Sequence, residues 1–129
     1  MLFRGSLVFF SDNSGGLSIK ILKFDANFKK KPVGKISSIF LGIIMDHNPL
    51  KKKILLKKKS KSTAMLVATK KKYSKKNLIF IYFSQNRAIS LKITRFINPV
   101  PNYIFTSIFF ELKFFKKFKT VFLKSYAFF

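Results

Sequence analysis

The chain has 129 residues, enough for one domain with a modest core, and its 27 Lys and Arg against 4 Asp and Glu give a formal net charge of +23. A free globular protein with so little acidic counter-charge would repel itself on compaction, so the composition predicts a polyanionic partner: RNA first, an anionic membrane surface second. The absence of cysteine excludes disulfides and thiol nucleophiles, and 18 Phe residues argue against a disordered basic tail.

Short apolar runs separated by turn signals predict a series of strands. In chain order they are Leu7–Phe10, Ser18–Phe24, Ile36–Met45, Thr63–Thr69, Leu78–Phe83 and Ile89–Ile93. Leu78–Phe83 has the strongest strand character of the set. Near the end of the chain, apolar spacing predicts a helix over Phe110–Lys119, and Thr120–Leu123 is a candidate final strand. The pattern is typical of a small barrel followed by a helix.

The first turn combines residues that suit a tight reversal. Asn and Gly tolerate positive φ, which a tight reversal of the chain requires. We therefore predict a structural role here, with contact between exposed amides and RNA as the alternative. The residues concerned are Asp12, Asn13, Gly15 and Gly16.

Lysine is concentrated in two clusters that are candidate binding sites for RNA phosphates. The alternative interpretation is a solvated charge run for the first and an ordinary polar hairpin loop for the second. The first basic cluster is Lys51, Lys52, Lys53, Lys57, Lys58, Lys59 and Lys61. The second basic cluster is Lys70, Lys71, Lys72, Lys75 and Lys76.

Arginine is rare, with three in the chain, and Arg95 is the one that we single out. Its planar fork binds phosphate in a bidentate manner that lysine cannot reproduce. A plain surface charge between strands is the alternative.

Catalytic and membrane-spanning patterns are missing from the sequence. The four acids are scattered, His47 is the single histidine, and no phosphate-binding or dinucleotide glycine motif occurs. We predict no enzyme activity, no cofactor and no metal site. Lysines interrupt the apolar stretches before they reach the roughly 20 residues of a transmembrane helix, so we predict no membrane span.

Six short motifs, in order, resemble ribosomal large-subunit protein fourteen, the universal family of that number. The Asp-Asn-Ser-Gly turn about ten residues into the chain is the first, and the Thr-Lys-Lys and Pro-Val motifs lie further along. The matching segments are Ser11–Gly16, Ile19–Leu22, Val33–Lys35, Leu66–Lys71, Asn77–Tyr82 and Thr94–Val100. Their common order over nearly the whole chain carries the resemblance.

The chain also departs from the family pattern. Lys72–Lys76 replaces the family's Asp-Gly-Ser and Arg-Phe-Asp segment, which predicts a truncated β-ribbon. The family's Arg beside Thr-Lys-Lys is Ala68 here, and its Gly before Pro-Val is Asn98. Asn102–Lys117 is longer than the family's segment and rich in Phe.

The resemblance implies a mainly β fold: a five-stranded β-barrel with a truncated ribbon and a short C-terminal helical region. We expect the barrel to bind rRNA over residues 1–101 and an extension over 102–129 to pack on it. The family contributes to intersubunit bridges, which places Arg95 near the small-subunit rRNA. Other implied partners are the counterparts of ribosomal proteins three and nineteen and a ribosome-silencing factor.

The excess of Lys, Phe, Ile and Asn is typical of AT-rich codons and favours an organellar genome. We expect a mitochondrial ribosome, with a plastid ribosome as the alternative. The start of the chain lacks the pattern of a presequence, which favours synthesis inside the organelle. Two other hypotheses remain at this point: a small basic membrane-associated protein without catalytic role, and a non-native reading frame in AT-rich DNA.

Overall fold

Every regular element in the described part of the chain is a β-strand. The computed structural model describes residues 2–24, 33–34, 38–50, 57–71, 73–74, 78, 80–93, 97–99, 104–108 and 125–128. The strands are β1 (Leu2–Phe3), β2 (Leu7–Phe10), β3 (Gly16–Phe24), β4 (Val33–Gly34), β5 (Ile39–His47), β6 (Lys61–Ala68), β7 (Tyr73–Ser74), β8 (Phe80–Ile81), β9 (Arg87–Ile93), β10 (Ile97–Pro99), β11 (Ile104–Ile108) and β12 (Ser125–Phe128).

Five of these strands close into a β-barrel. Antiparallel pairing joins β2 to β3, β3 to β5, β5 to β6 and β6 to β9. The circle is completed by parallel pairing of β2 with β9, in the register Phe9↔Arg87 and Phe10↔Ala88. Closure gives each of the five strands a partner on both sides and so removes exposed edges.

Alternating side chains fill the barrel. Val8 and Phe10 of β2 point inward, while Leu7 and Phe9 between them are exposed. The two-residue period puts one side of each strand in the core. The core cluster comprises Leu2, Val8, Phe10, Ile19, Ile21, Phe40, Ile44, Ala64, Leu66 and Ala88.

Strand β6 departs from alternation, because all five residues from Ala64 to Ala68 are buried. An uninterrupted apolar run is expected where both faces of a strand are covered. One covering element is β11, which lies against β6 and contributes the fully buried Ile104. A bridge between Asp12 and Ile104 and a 3.0 Å bond from Phe105 N to Ser11 O also attach β11 to the barrel.

The predicted barrel and most of the predicted strands are confirmed, with one correction. Leu78–Phe83 was expected to be the strongest strand, but β8 contains only Phe80–Ile81 and pairs with the equally short β7. Phe80 and Ile81 therefore belong to a separate two-stranded sheet and not to the barrel, at the place where a truncated ribbon was predicted.

The end of the chain is described only in part. The predicted helix Phe110–Lys119 and the predicted strand Thr120–Leu123 lie outside the described residues. Within them, β12 pairs with β11 in parallel, in a register that includes Ser107↔Ala127 and Ile108↔Phe128. No described segment forms a helix long and apolar enough to cross a membrane.

Candidate nucleic-acid interface

The carboxylate of Asp12 connects the first turn to β9. Asp12 is only 4% exposed. Its Oδ1 accepts hydrogen bonds from the Ser14 hydroxyl and from Ser14 N at 3.1 Å, and its Oδ2 accepts them from Ser90 N at 2.8 Å and Ser90 Oγ at 2.9 Å. Four donors can stabilise a buried carboxylate without a cationic partner.

The remainder of the turn lies beside the end of β5. Gly15 has a φ of 98°, a conformation that favours glycine. Its carbonyl accepts a 2.8 Å bond from Asn48 N, and Gly16 pairs with His47. Asn13 is exposed. The turn is thus held at both of its ends, while its structural role and its contact with RNA stay predictions.

The described part of the first basic cluster forms the entry to β6. Lys57, Lys58, Lys59 and Lys61 are all exposed, while Lys51, Lys52 and Lys53 lie outside the described residues. Lys59 has a φ of 63° and donates its amide to Ile44 O at 2.8 Å, which ties the segment to β5. These lysines therefore sit on a backbone fixed by the barrel.

One ion pair lowers the free charge of this cluster. Lys58 Nζ lies 3.6 Å from Asp46 Oδ1, and both side chains are more than half exposed. An exposed pair of this kind contributes little to stability. In the described part of the chain it is the one ion pair formed, so Lys57, Lys59 and Lys61 keep their charge for an external anion.

The described part of the second basic cluster begins where β6 ends. Lys70 and Lys71 are exposed, while Lys72, Lys75 and Lys76 lie outside the described residues. Lys70 N donates to the side-chain oxygen of Asn86 at 2.9 Å, and the main-chain oxygen of Asn86 accepts from Phe9 N at 3.2 Å. The second cluster is thus anchored next to the parallel seam of the barrel.

The two clusters lie at opposite ends of the same strand. β6 has eight residues, and at about 3.3 Å per residue its ends are about 25 Å apart. One anion of small size cannot contact both ends at once. An extended polyanion can, because its charges repeat along its length.

Arg87 is a residue that sequence reasoning missed. Its Nη1 donates to Phe10 O at 3.1 Å, and its guanidinium lies 6.0 Å from the centre of the Phe9 ring. Desolvation by burial lowers the pKa of Arg87 from its ordinary value. The rarity of arginine was the only available signal, and it led to Arg95, which lies outside the described residues. Arg87 stabilises the seam where β2 meets β9.

The described residues contain no cluster of side chains that could hold a metal ion. No group of three His, Cys, Asp or Glu side chains comes together among them. Asp12 is occupied by serine donors, and Asp46 is exposed beside Lys58. The chemical feature that the described surface does present is a set of exposed lysines on a closed barrel, which can bind anions.

Comparison with known families decides between the hypotheses. Residues 1–126 match the family model described as ribosomal protein L14p/L23e. The chain belongs to this family. No individual curated protein matches the chain. The resemblance inferred from six ordered motifs is therefore confirmed by a match over almost the whole length.

Membership of the L14p/L23e family fixes the broad role. The chain is a structural protein of the large ribosomal subunit and not an enzyme. The family also accounts for the excess of lysine, because a ribosomal protein works among rRNA phosphates and neighbouring proteins. The hypotheses of a non-native reading frame and of a membrane-associated protein lose their support.

Proposed function

We propose that the two basic clusters bind rRNA of the large subunit near the intersubunit interface, and that the chain contributes to bridging there. The observation that carries the proposal is the pair of exposed lysine groups at opposite ends of β6. Both are mounted on backbone that is hydrogen-bonded into a closed barrel. Lysines held this way make phosphate contacts that fix position on RNA and read little sequence.

We also propose the specific partners that the family resemblance implies. Arg95 is the candidate for the small-subunit rRNA, and the counterparts of proteins three and nineteen are the expected neighbours. A ribosome-silencing factor is a further candidate partner. We propose a mitochondrial ribosome as the location, supported by the AT-rich codon signature of the sequence.

The two-part organisation also belongs to the proposal. Residues 1–101 form the rRNA-binding barrel, and residues 102–129 form an extension packed on it. The buried Ile104 and its bridge to Asp12 support packing of the start of this extension against the barrel.

Neutralising lysines in either cluster should weaken the binding of the chain to rRNA. It should also make the binding constant less dependent on salt concentration. Each phosphate contact contributes roughly 0.7–0.9 to the slope of log K against log salt concentration. Lys57→Gln/Lys61→Gln and Lys70→Gln/Lys71→Gln should therefore each reduce the magnitude of the slope by roughly 1.4–1.8. The measurement is filter binding of the full chain to large-subunit rRNA over a salt series.

A matched control removes the same charge from the wall of the barrel. Lys20 and Lys23 are exposed on β3, which pairs with β5 and is separated from β6 by that strand. Lys20→Gln/Lys23→Gln should leave the slope near the wild-type value. Equal slopes for all three double variants would show that only total charge matters, and the assignment of the clusters would be wrong.

A further inference from the structure

The hairpin between β6 and β9, residues 70–86, leaves the barrel through a defined neck. Phe83 N donates to Thr69 O at 3.3 Å, and Lys70 N donates to Asn86 Oδ1 at 2.9 Å. Beyond the neck, β7 and β8 pair in the register Tyr73↔Ile81 and Ser74↔Phe80. Strands β7 and β8 thus form a two-stranded sheet that is separate from the barrel.

One side of this hairpin presents aromatic rings to solvent. Phe80 is 60% exposed and Tyr82 is 65% exposed, whereas Ile81 between them is half-buried. Exposure alternates from Phe80 to Phe83, as it does on an extended chain whose alternate residues share a side, and this favours both rings on the same side of the hairpin. Leu78, 85% exposed, precedes them. Adjacent exposed aromatic residues outside the barrel favour a binding surface rather than scattered surface residues.

The charge around the rings specifies the kind of partner. Lys70 and Lys71 are exposed at the base of the hairpin. The stretch 70–87 contains six Lys or Arg residues and no Asp or Glu. A neutral apolar partner would cover the exposed rings, but it would also take the nearby lysines out of water without giving them a negative charge to pair with. A partner that carries both planar apolar faces and negative charge satisfies both.

Unpaired nucleotides have this combination, whereas the bases of an RNA duplex are enclosed by stacking. We propose that Phe80 and Tyr82 form a stacking platform for unpaired nucleotides, with Lys70 and Lys71 neutralising the adjacent phosphates. The inference rests on the proposed rRNA-binding function and narrows it to single-stranded or looped RNA at the hairpin. Stacking of bases on aromatic rings tolerates any sequence.

The test compares two RNA probes and two variants of the full chain. The probes are a fluorescent 12-nucleotide polyuridine strand and a 12-base-pair RNA duplex, titrated by anisotropy. Phe80→Leu/Tyr82→Leu removes the rings but no charge. It should weaken binding of the single strand by about tenfold or more and leave duplex binding within about twofold.

The control variant is Phe3→Leu/Phe105→Leu, which removes two exposed rings elsewhere. It should bind both probes as the wild type does. Far-UV circular dichroism of both variants checks that the barrel is retained.

The failure of the stacking platform and the failure of the proposed rRNA binding would give different results. If Phe80→Leu/Tyr82→Leu binds the single strand as tightly as wild type, the stacking platform is wrong while rRNA binding stands. If the variant fails to enter the large subunit yet keeps its affinity for RNA, the rings contact a protein and the inference is again wrong. If the wild type binds neither probe, the proposed rRNA-binding function itself is wrong.

Discussion

Asp12→Ala is expected to lower the free energy of unfolding by about 3–5 kcal/mol. The substitution removes both acceptor atoms from a site where Asp12 is buried and receives hydrogen bonds from Ser14 and Ser90. The amides of these two serines would be left in the interior without an acceptor, and each unsatisfied buried donor costs about 1–3 kcal/mol. The turn would also lose its connection to β9.

The experiment is urea unfolding of the purified full chain, followed by far-UV circular dichroism in sulfate buffer that screens the lysines. Asn13→Ala is the matched control, because Asn13 occupies the same turn but is exposed. It should change the free energy of unfolding by no more than about 0.5 kcal/mol. Similar small losses for both variants would show that the Asp12 carboxylate does not hold the turn.

Gly42→Ala is the second substitution with a large expected effect, a loss of about 3 kcal/mol. A Cβ at Gly42 would lie 2.6 Å from Ile19 Cγ1 and 2.6 Å from the backbone oxygen of Lys20. The contact with backbone cannot be relieved by turning a side chain. Strand β3 would have to move away from β5, which disrupts their pairing and the packing of Ile19 in the core.

Gly5→Ala separates steric from conformational causes. No atom lies within 4 Å of a Cβ at Gly5, but its φ is +89°. Only the conformational cost of about 1–2 kcal/mol should appear there. Both variants can be measured by urea unfolding in the same sulfate buffer. A Gly42→Ala protein as stable as Gly5→Ala would contradict the close approach of β3 and β5.

Local patterns predicted much of the barrel. Ser18–Phe24 was predicted to be a strand, and the structure places β3 there with Ile19 and Ile21 fully buried. The family resemblance supplied the strand number and the closure. The two lysine clusters could also be identified from the sequence, because runs of charged residues are recognisable without knowledge of the fold.

Long-range contacts were beyond such patterns. The turn that contains Asp12 was predicted, but the hydrogen bonds of its carboxylate to Ser90, 78 residues away, were not. The same limit applies to Arg87, whose partner Phe10 lies 77 residues away. Propensity also failed for Leu78–Phe83, because an apolar run does not reveal whether a long strand is available to pair with it.

The central claim is tested most directly by a density map of ribosomes purified from the cells that make this chain. We expect the five-stranded barrel within the large subunit, close to the subunit interface, with Lys57, Lys61, Lys70 and Lys71 against rRNA phosphates. The contrary result is a large subunit without this chain, with the protein retained in membranes after carbonate extraction.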